Sequence, residues 1–145
     1  MKRVLVVSGP NLNLLGRREP EVYGTQTLAD IEAMVSARAR ELGCEVECFQ
    51  SNHEGELLDW LHAHAEGVDG VIVNPGAFSH YSYALYDCLR WITAPVVEVH
   101  LSHLYGRPEP FRHVSVTAPA AQALISGLGA KGYVLALEHL LALDQ

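Results

Sequence analysis

Apolar runs, each followed by a polar loop and then by a stretch with helical periodicity, set the rhythm of this chain. Val4-Leu5-Val6-Val7 reads as a buried strand. A long loop, Gly9 to Gly24, separates it from a helix whose apolar face carries Leu28, Ile31, Val35 and Leu42 at helical spacing. Thr27 with Asp30 three residues on predicts an N-terminal capping box, and Gly43 a C-terminal stop. Cys44 to Gln50 reads as a short strand in which Val46 and Cys48 alternate with polar residues, and Ser51 to Gly55 as a turn. Leu57, Leu58, Leu61 and Ala65 mark a second helix ending near Gly67. Gly70-Val71-Ile72-Val73-Asn74 is apolar almost throughout, as expected of a parallel strand covered on both faces. Pro75 to His80 is again a loop, and a helix is expected from about Tyr81 to Trp91. After Ala94-Pro95 come a fourth strand, Val96-Val97-Glu98-Val99-His100, and a polar loop with Arg107, Pro108, Pro110 and Arg112. Gln122 to Ser126 reads as a short fifth strand, and the last helix, about Lys131 to Leu143, carries Val134, Leu137, Leu140 and Leu141 on one side.

Strands alternating with helices predict an α/β fold with a doubly wound, all-parallel sheet. Five strands with right-handed crossovers favour a flavodoxin-like, three-layer αβα arrangement with strand order 2-1-3-4-5. Neither an internal repeat nor a linker interrupts the pattern, so one domain over residues 1–145 is the simplest organisation. In such sheets ligands bind beyond the carboxyl ends of the strands. The loop after the first strand is long for its place, which marks it as a lid or binding loop.

Composition narrows the function classes. The chain has 145 residues, 49% of them hydrophobic and 19% charged, an ordinary globular balance. A net charge of −7 argues against a nucleic-acid partner, which needs a basic surface. The three cysteines, Cys44, Cys48 and Cys88, have no disulfide-like spacing and suit a reducing cytoplasm, with Cys88 expected as a small buried hydrophobe. The start Met1 to Val7 is too short in its apolar run for a signal peptide, and no stretch approaches a membrane span.

The polar residues that strands do not need gather in the loops the fold would use. Glu98 and His100 are two apart and face the same side of a strand, so the carboxylate can fix the imidazole and hold it protonated as a general acid; an ordinary ion pair at a solvated strand end is the competing reading. Tyr23 lies near Arg17 and Arg18, whose charges favour a phenolate that could act as a base; arginines merely in solvent are the alternative. The third strand ends in Asn74, with His80 shortly after. Gly9 to Gly16 fits neither GxGxxG nor a Lys-Ser/Thr phosphate loop. His62 and His64 point in different directions on a helix. Glu98, His100 and His103 offer part of a metal site without a clear ligand motif. The two lysines, Lys2 and Lys131, lie where a Schiff base is not expected.

Several motifs in order carry a family resemblance: Gly9-Pro10-Asn11-Leu12-Asn13-Leu14-Leu15-Gly16, Arg18-Glu19-Pro20, Tyr23-Gly24, Phe49 to Gly55, Asn74-Pro75-Gly76-Ala77, Glu98-Val99-His100, Phe111-Arg112-His113 and Gly127-Leu128-Gly129-x-x-Gly132-Tyr133. From about Val4 to Leu141 the chain resembles type II 3-dehydroquinate dehydratases. The resemblance implies the reversible anti dehydration of 3-dehydroquinate to 3-dehydroshikimate through an enolate, in the shikimate pathway to chorismate and the aromatic amino acids. It implies no cofactor and no metal. Tyr23 would then remove the C2 proton with Arg18 lowering its pKa, and Asn11 would hold a water near the enolate. His100, oriented by Glu98, would protonate the departing C1 hydroxyl. Leu101 and Ser102 would bind the substrate carboxylate, Asn74, His80 and Arg112 the ring hydroxyls, and Arg107 would assist from the lid side. It further implies a cytoplasmic homododecamer of four trimers, with Asp87 reaching a neighbouring subunit's site. The chain departs from the family pattern at His103, where asparagine is usual, at Tyr81, and in an extra residue near Pro108.

Overall fold

The computed structural model describes residues 1–143, apart from the side chain of Tyr23. Its centre is a five-stranded parallel sheet of β1 (Lys2–Ser8), β2 (Cys44–Gln50), β3 (Gly70–Asn74), β4 (Val96–His100) and β5 (Ala123–Ser126), in the order β2-β1-β3-β4-β5. The helices are α1 (Pro20–Tyr23), α2 (Leu28–Glu41), α3 (Glu54–His64), α4 (Tyr83–Trp91) and α5 (Lys131–Ala142). Strand order and fold class are as the sequence pattern predicts.

The core divides by the side-chain alternation of strands. Val4, Val6, Ile72, Val97 and Val99 join Ile31 and Val35 of α2 and Leu137 and Leu140 of α5 on one face. Leu5, Val7, Val71, Val73 and Val96 join Leu57 and Leu61 of α3 and Leu85 and Leu89 of α4 on the other. Cys88 is buried there, and burial pushes its thiol up to about 11. Among the described residues no helix is long and apolar enough to cross a membrane.

Local signals set most boundaries. Thr27 accepts from the Asp30 N–H while Asp30 accepts from the Thr27 N–H, completing the capping box of α2. Gly43 takes a left-handed φ of 70° just past its end. Three boundaries differ from the periodicity reading. The Ser51 to Gly55 turn already contains the first residues of α3, which ends at His64 rather than near Gly67. The helix expected from Tyr81 starts at Tyr83, because Ser82 accepts from the Leu85 N–H as its cap. The polar loop expected between β4 and β5 is built on three 3-10 turns, Leu104–Gly106, Pro110–His113 and Ala118–Ala120.

Candidate active site

Strand order reverses between β1 and β3, and the cleft opens at the carboxyl ends of these strands and of β4. Gly9 makes the closure possible. Its N–H donates to the Asn74 carbonyl at 2.8 Å, and a Cβ there would lie 2.4 Å from the Pro75 carbonyl oxygen. Any side chain would push the first and third loops apart. Asn11 follows with a left-handed φ of 68°, a conformation asparagine tolerates. Asn52 accepts from the Asn11 N–H at 2.9 Å, and the Gln50 amide donates to both the Gly9 carbonyl and Asn52. The Phe49 to Gly55 motif therefore anchors the root of the first loop.

That loop is less irregular than its sequence suggests. It contains a 3-10 turn, Leu12–Leu14, whose Leu12 and the following Leu15 are buried, and then α1. Glu19 has a φ of 41°, uncommon for a residue with a Cβ, and this delivers Pro20 into the first turn of α1. Arg18 lines the cleft and pairs with Glu19 at 3.3 Å, whereas Arg17 is exposed. Tyr23 ends α1; its side chain lies outside the described residues.

The opposite wall is buried. Val96, Glu98 and His100 share one face of β4, and Glu98 is fully buried. A valine or leucine there would contribute about 1.5–3 kcal/mol by burial, whereas a carboxylate adds a desolvation cost that only hydrogen bonds can offset. Glu98 has them. Its Oε2 accepts from His100 Nε2 and Ser115 Oγ, both at 2.7 Å, and its Oε1 accepts from Thr117 Oγ1 at 2.5 Å. The Ser115 hydroxyl oxygen in turn accepts from the Ala118 N–H, which directs its proton to Glu98. With Nε2 engaged, Nδ1 is the His100 nitrogen available to a ligand in the cleft. The ordinary-ion-pair reading of Glu98 and His100 fails on burial: the side chains are 0% and 6% exposed.

Around His100 the cleft is lined by Asn11, Arg18, Asn74, His80, Leu101 and Ser102, with Arg107 and Arg112 from the β4–β5 connection. Asn74 Oδ1 accepts from the Gly76 N–H. His80 Nδ1 donates to the Val114 carbonyl at 2.7 Å, and desolvation lowers its pKa, aided by the charges of Arg112 and His100. The neutral ring offers Nε2 as an acceptor. Arg107 donates to Ser102 Oγ at 3.2 Å, while its carbonyl accepts from His113. Glu109 lies between the two arginines, 3.9 Å from Arg107 Nε and 3.6 Å from Arg112 Nε. Three guanidinium groups thus face one cleft, a suitable seat for an anionic ligand.

Two of the singled-out constellations do not converge here. Asp87 is exposed on α4 and does not line this cleft. His103 is exposed beside Tyr105, and among the described residues no three His, Cys, Asp or Glu side chains cluster to hold a metal ion. Of the other departures, Tyr81 is exposed with its ring edge toward Phe78, and Pro108 is exposed between two 3-10 turns. A larger cavity, about 430 Å³ against about 70 Å³, lies at the amino ends of β1 and β2. Its charged lining, Arg3, Arg40, Glu45 and Glu47, includes none of the candidate residues.

The model of the family described as "Dehydroquinase class II" matches residues 2–141. The chain belongs to the class II dehydroquinase family. Within that family it is 54% identical over 138 residues to a "3-dehydroquinate dehydratase" of Caldicellulosiruptor bescii, covering 94% of each chain. It is 54% identical over 142 residues to the enzyme of that name from Bacillus subtilis, covering 98% of this chain and 95% of the relative. The crystal structure of type II dehydroquinase from Propionibacterium acnes superposes with a TM-score of 0.93 at 45% identity, covering 97% of each chain. Membership in the dehydroquinase family makes the chain an enzyme.

Sequence reasoning missed Gln50, Asn52, Ser115, Thr117 and Glu109. Ser115 and Thr117, two apart with Val116 between, carried a strand-like alternation that could have suggested a shared face. The Phe49 to Gly55 motif was visible, but its task was not.

Proposed function

We propose that this dehydroquinase dehydrates 3-dehydroquinate to 3-dehydroshikimate, reversibly and by anti elimination, in the shikimate pathway. Tyr23, as phenolate, takes the C2 proton with Arg18 favouring its charged form. The resulting enolate is stabilised by fixed donors near Asn11, directly or through a water. His100, oriented by Glu98, gives a proton to the C1 hydroxyl, which leaves as water as the C1–C2 double bond forms. Leu101 and Ser102 bind the carboxylate through backbone N–H groups, and Asn74, His80 and Arg112 hold the ring hydroxyls. Arg107 supports the lid side. The reaction needs no cofactor or metal, and one domain of residues 1–145 carries its machinery. The exposed position of Asp87 suits a residue that serves a neighbouring subunit's site in a cytoplasmic homododecamer.

The observation that carries the reading is the buried Glu98–His100 pair set against a cleft with three arginines. Ultraviolet absorbance of the conjugated enone tests it. The purified protein mixed with 3-dehydroquinate should develop that absorbance, with or without a chelator. No product would defeat the proposal; activity abolished by the chelator and restored by a divalent metal would defeat its metal-free part. Native mass spectrometry tests the assembly, and a monomer would remove the role given to Asp87.

A further inference from the structure

We infer that Tyr133 is a positioning residue, whose buried phenol sets the carboxamide of Asn74 in the cleft. Tyr133 is 0% exposed on the first turn of α5, and its ring packs in the core between that helix and the sheet. Gly132 lets this turn come close, since a Cβ there would lie 3.2 Å from methyl groups of both Val99 and Ile125. A phenylalanine would fill the apolar space equally well, so the hydroxyl is the group that needs a reason. A buried phenol requires partners. It has two at the carboxyl ends of β1 and β3: Ser8 Oγ at 3.1 Å and Asn74 Nδ2 at 3.0 Å.

The partners of Asn74 fix the orientation of its amide. The Gly76 N–H can only donate, so Asn74 Oδ1 faces it. Asn74 Nδ2 must then donate to the phenolic oxygen, and the phenol shares its second hydrogen bond with the Ser8 hydroxyl. Desolvation raises the phenol to about 12, so it stays a neutral donor and acceptor at ordinary pH. One Nδ2 proton and one Oδ1 lone pair of Asn74 are left for the cleft, in a fixed orientation. Tyr133 thus acts through Asn74 and never touches the ligand. The inference rests on the proposed role of Asn74 in holding a ring hydroxyl.

A double-mutant cycle in steady-state kinetics with 3-dehydroquinate tests it, using Tyr133→Phe, Asn74→Ala and the double variant. Tyr133→Phe should raise KM about 10-fold and change kcat less than about 2-fold. In the Asn74→Ala background the same change should move kcat/KM by less than about 2-fold, because the group through which Tyr133 acts is gone. Ser8→Ala removes the phenol's second hydrogen-bond partner and should raise KM about 3-fold, which provides an independent reading if Tyr133→Phe folds poorly. Additive losses in the double variant, with a clear defect in Asn74→Ala, would overturn the Tyr133 inference and leave Asn74 as a substrate ligand. An unaltered kcat/KM in Asn74→Ala would overturn both. A fall in Tm with unchanged KM in Tyr133→Phe and Ser8→Ala would reduce Tyr133 to a packing role and overturn the inference.

Discussion

The two walls of the cleft are built by different means. On the β4 side, Glu98 and His100 sit on a central strand, and the groups that hold them, Ser115 and Thr117, come from a segment packed over the same face. The carboxylate that orients His100 is tied by Ser115 and Thr117, 17 and 19 positions away in sequence. On the first-loop side, Arg18 pairs with its neighbour Glu19, Glu19 holds a left-handed backbone, and long-range anchoring is at the loop's root, through Asn11, Asn52 and Gln50. The β4 wall is therefore tied together by segments that only folding brings next to it. The first-loop wall is anchored at its root and through buried Leu12 and Leu15, with Arg18 and Glu19 on the stretch beyond them. On the proposed roles, the acid belongs to the wall built from distant segments and the base to the wall built by the first loop.

The comparison can be broken in several places. The largest effect is expected from Tyr23→Phe, which should lower kcat by about 10³-fold or more while substrate still binds by calorimetry. A rate near that of the parent would take the base away from the loop wall. His100→Ala should lower kcat by about 10²–10⁴-fold. Thr117→Val keeps shape but removes one donor to buried Glu98; it should lower kcat/KM roughly 10-fold and also depress Tm, and an unaltered rate would show that the β4 wall does not depend on its far partners. Arg17→Ala should stay within about 2-fold in every kinetic constant, since the side chain is exposed.

The smallest effect concerns pH. Folding lowers the pKa of His80 from its ordinary 6.5, chiefly by desolvation. The unfolded chain therefore binds that proton more readily. The stability this contributes is present above 6.5 and is lost as pH falls through the lowered value in the fold. Urea titrations of the parent and His80→Gln between neutral and mildly acidic pH should show a shallower loss of stability in the variant. Parallel curves would mean that His80 does not titrate differently on folding.

Much of the β4 wall was legible in the sequence. Apolar runs ending in polar residues located the strand ends, and the spacing of two between Glu98 and His100 implied a shared face. Thr27, Asp30 and Gly43 announced both ends of α2 because capping is a local interaction. What stayed hidden depends on contacts between distant segments. Ser115 and Thr117 are ordinary loop residues until the β4–β5 connection folds over Glu98, and that connection lacks a helix whose period could have been read. Gln50 read as a strand end and Asn52 as a turn residue, and their tasks stayed hidden because their partners lie 41 positions away. The distinction between Arg17 and Arg18 came from the family resemblance. The structure gives it a physical form: Arg18 lines the cleft and Arg17 faces solvent.

If base and acid belong to separately built walls, proton removal should outlive the loss of the acid. Nuclear magnetic resonance of 3-dehydroquinate in deuterium oxide, in the presence of His100→Ala, measures this directly by following deuterium entering C2. The account predicts that His100→Ala catalyses C2 exchange while forming almost no enone, and that adding Tyr23→Phe abolishes the exchange. Exchange that persists without Tyr23, or that is lost with His100 alone, would contradict it.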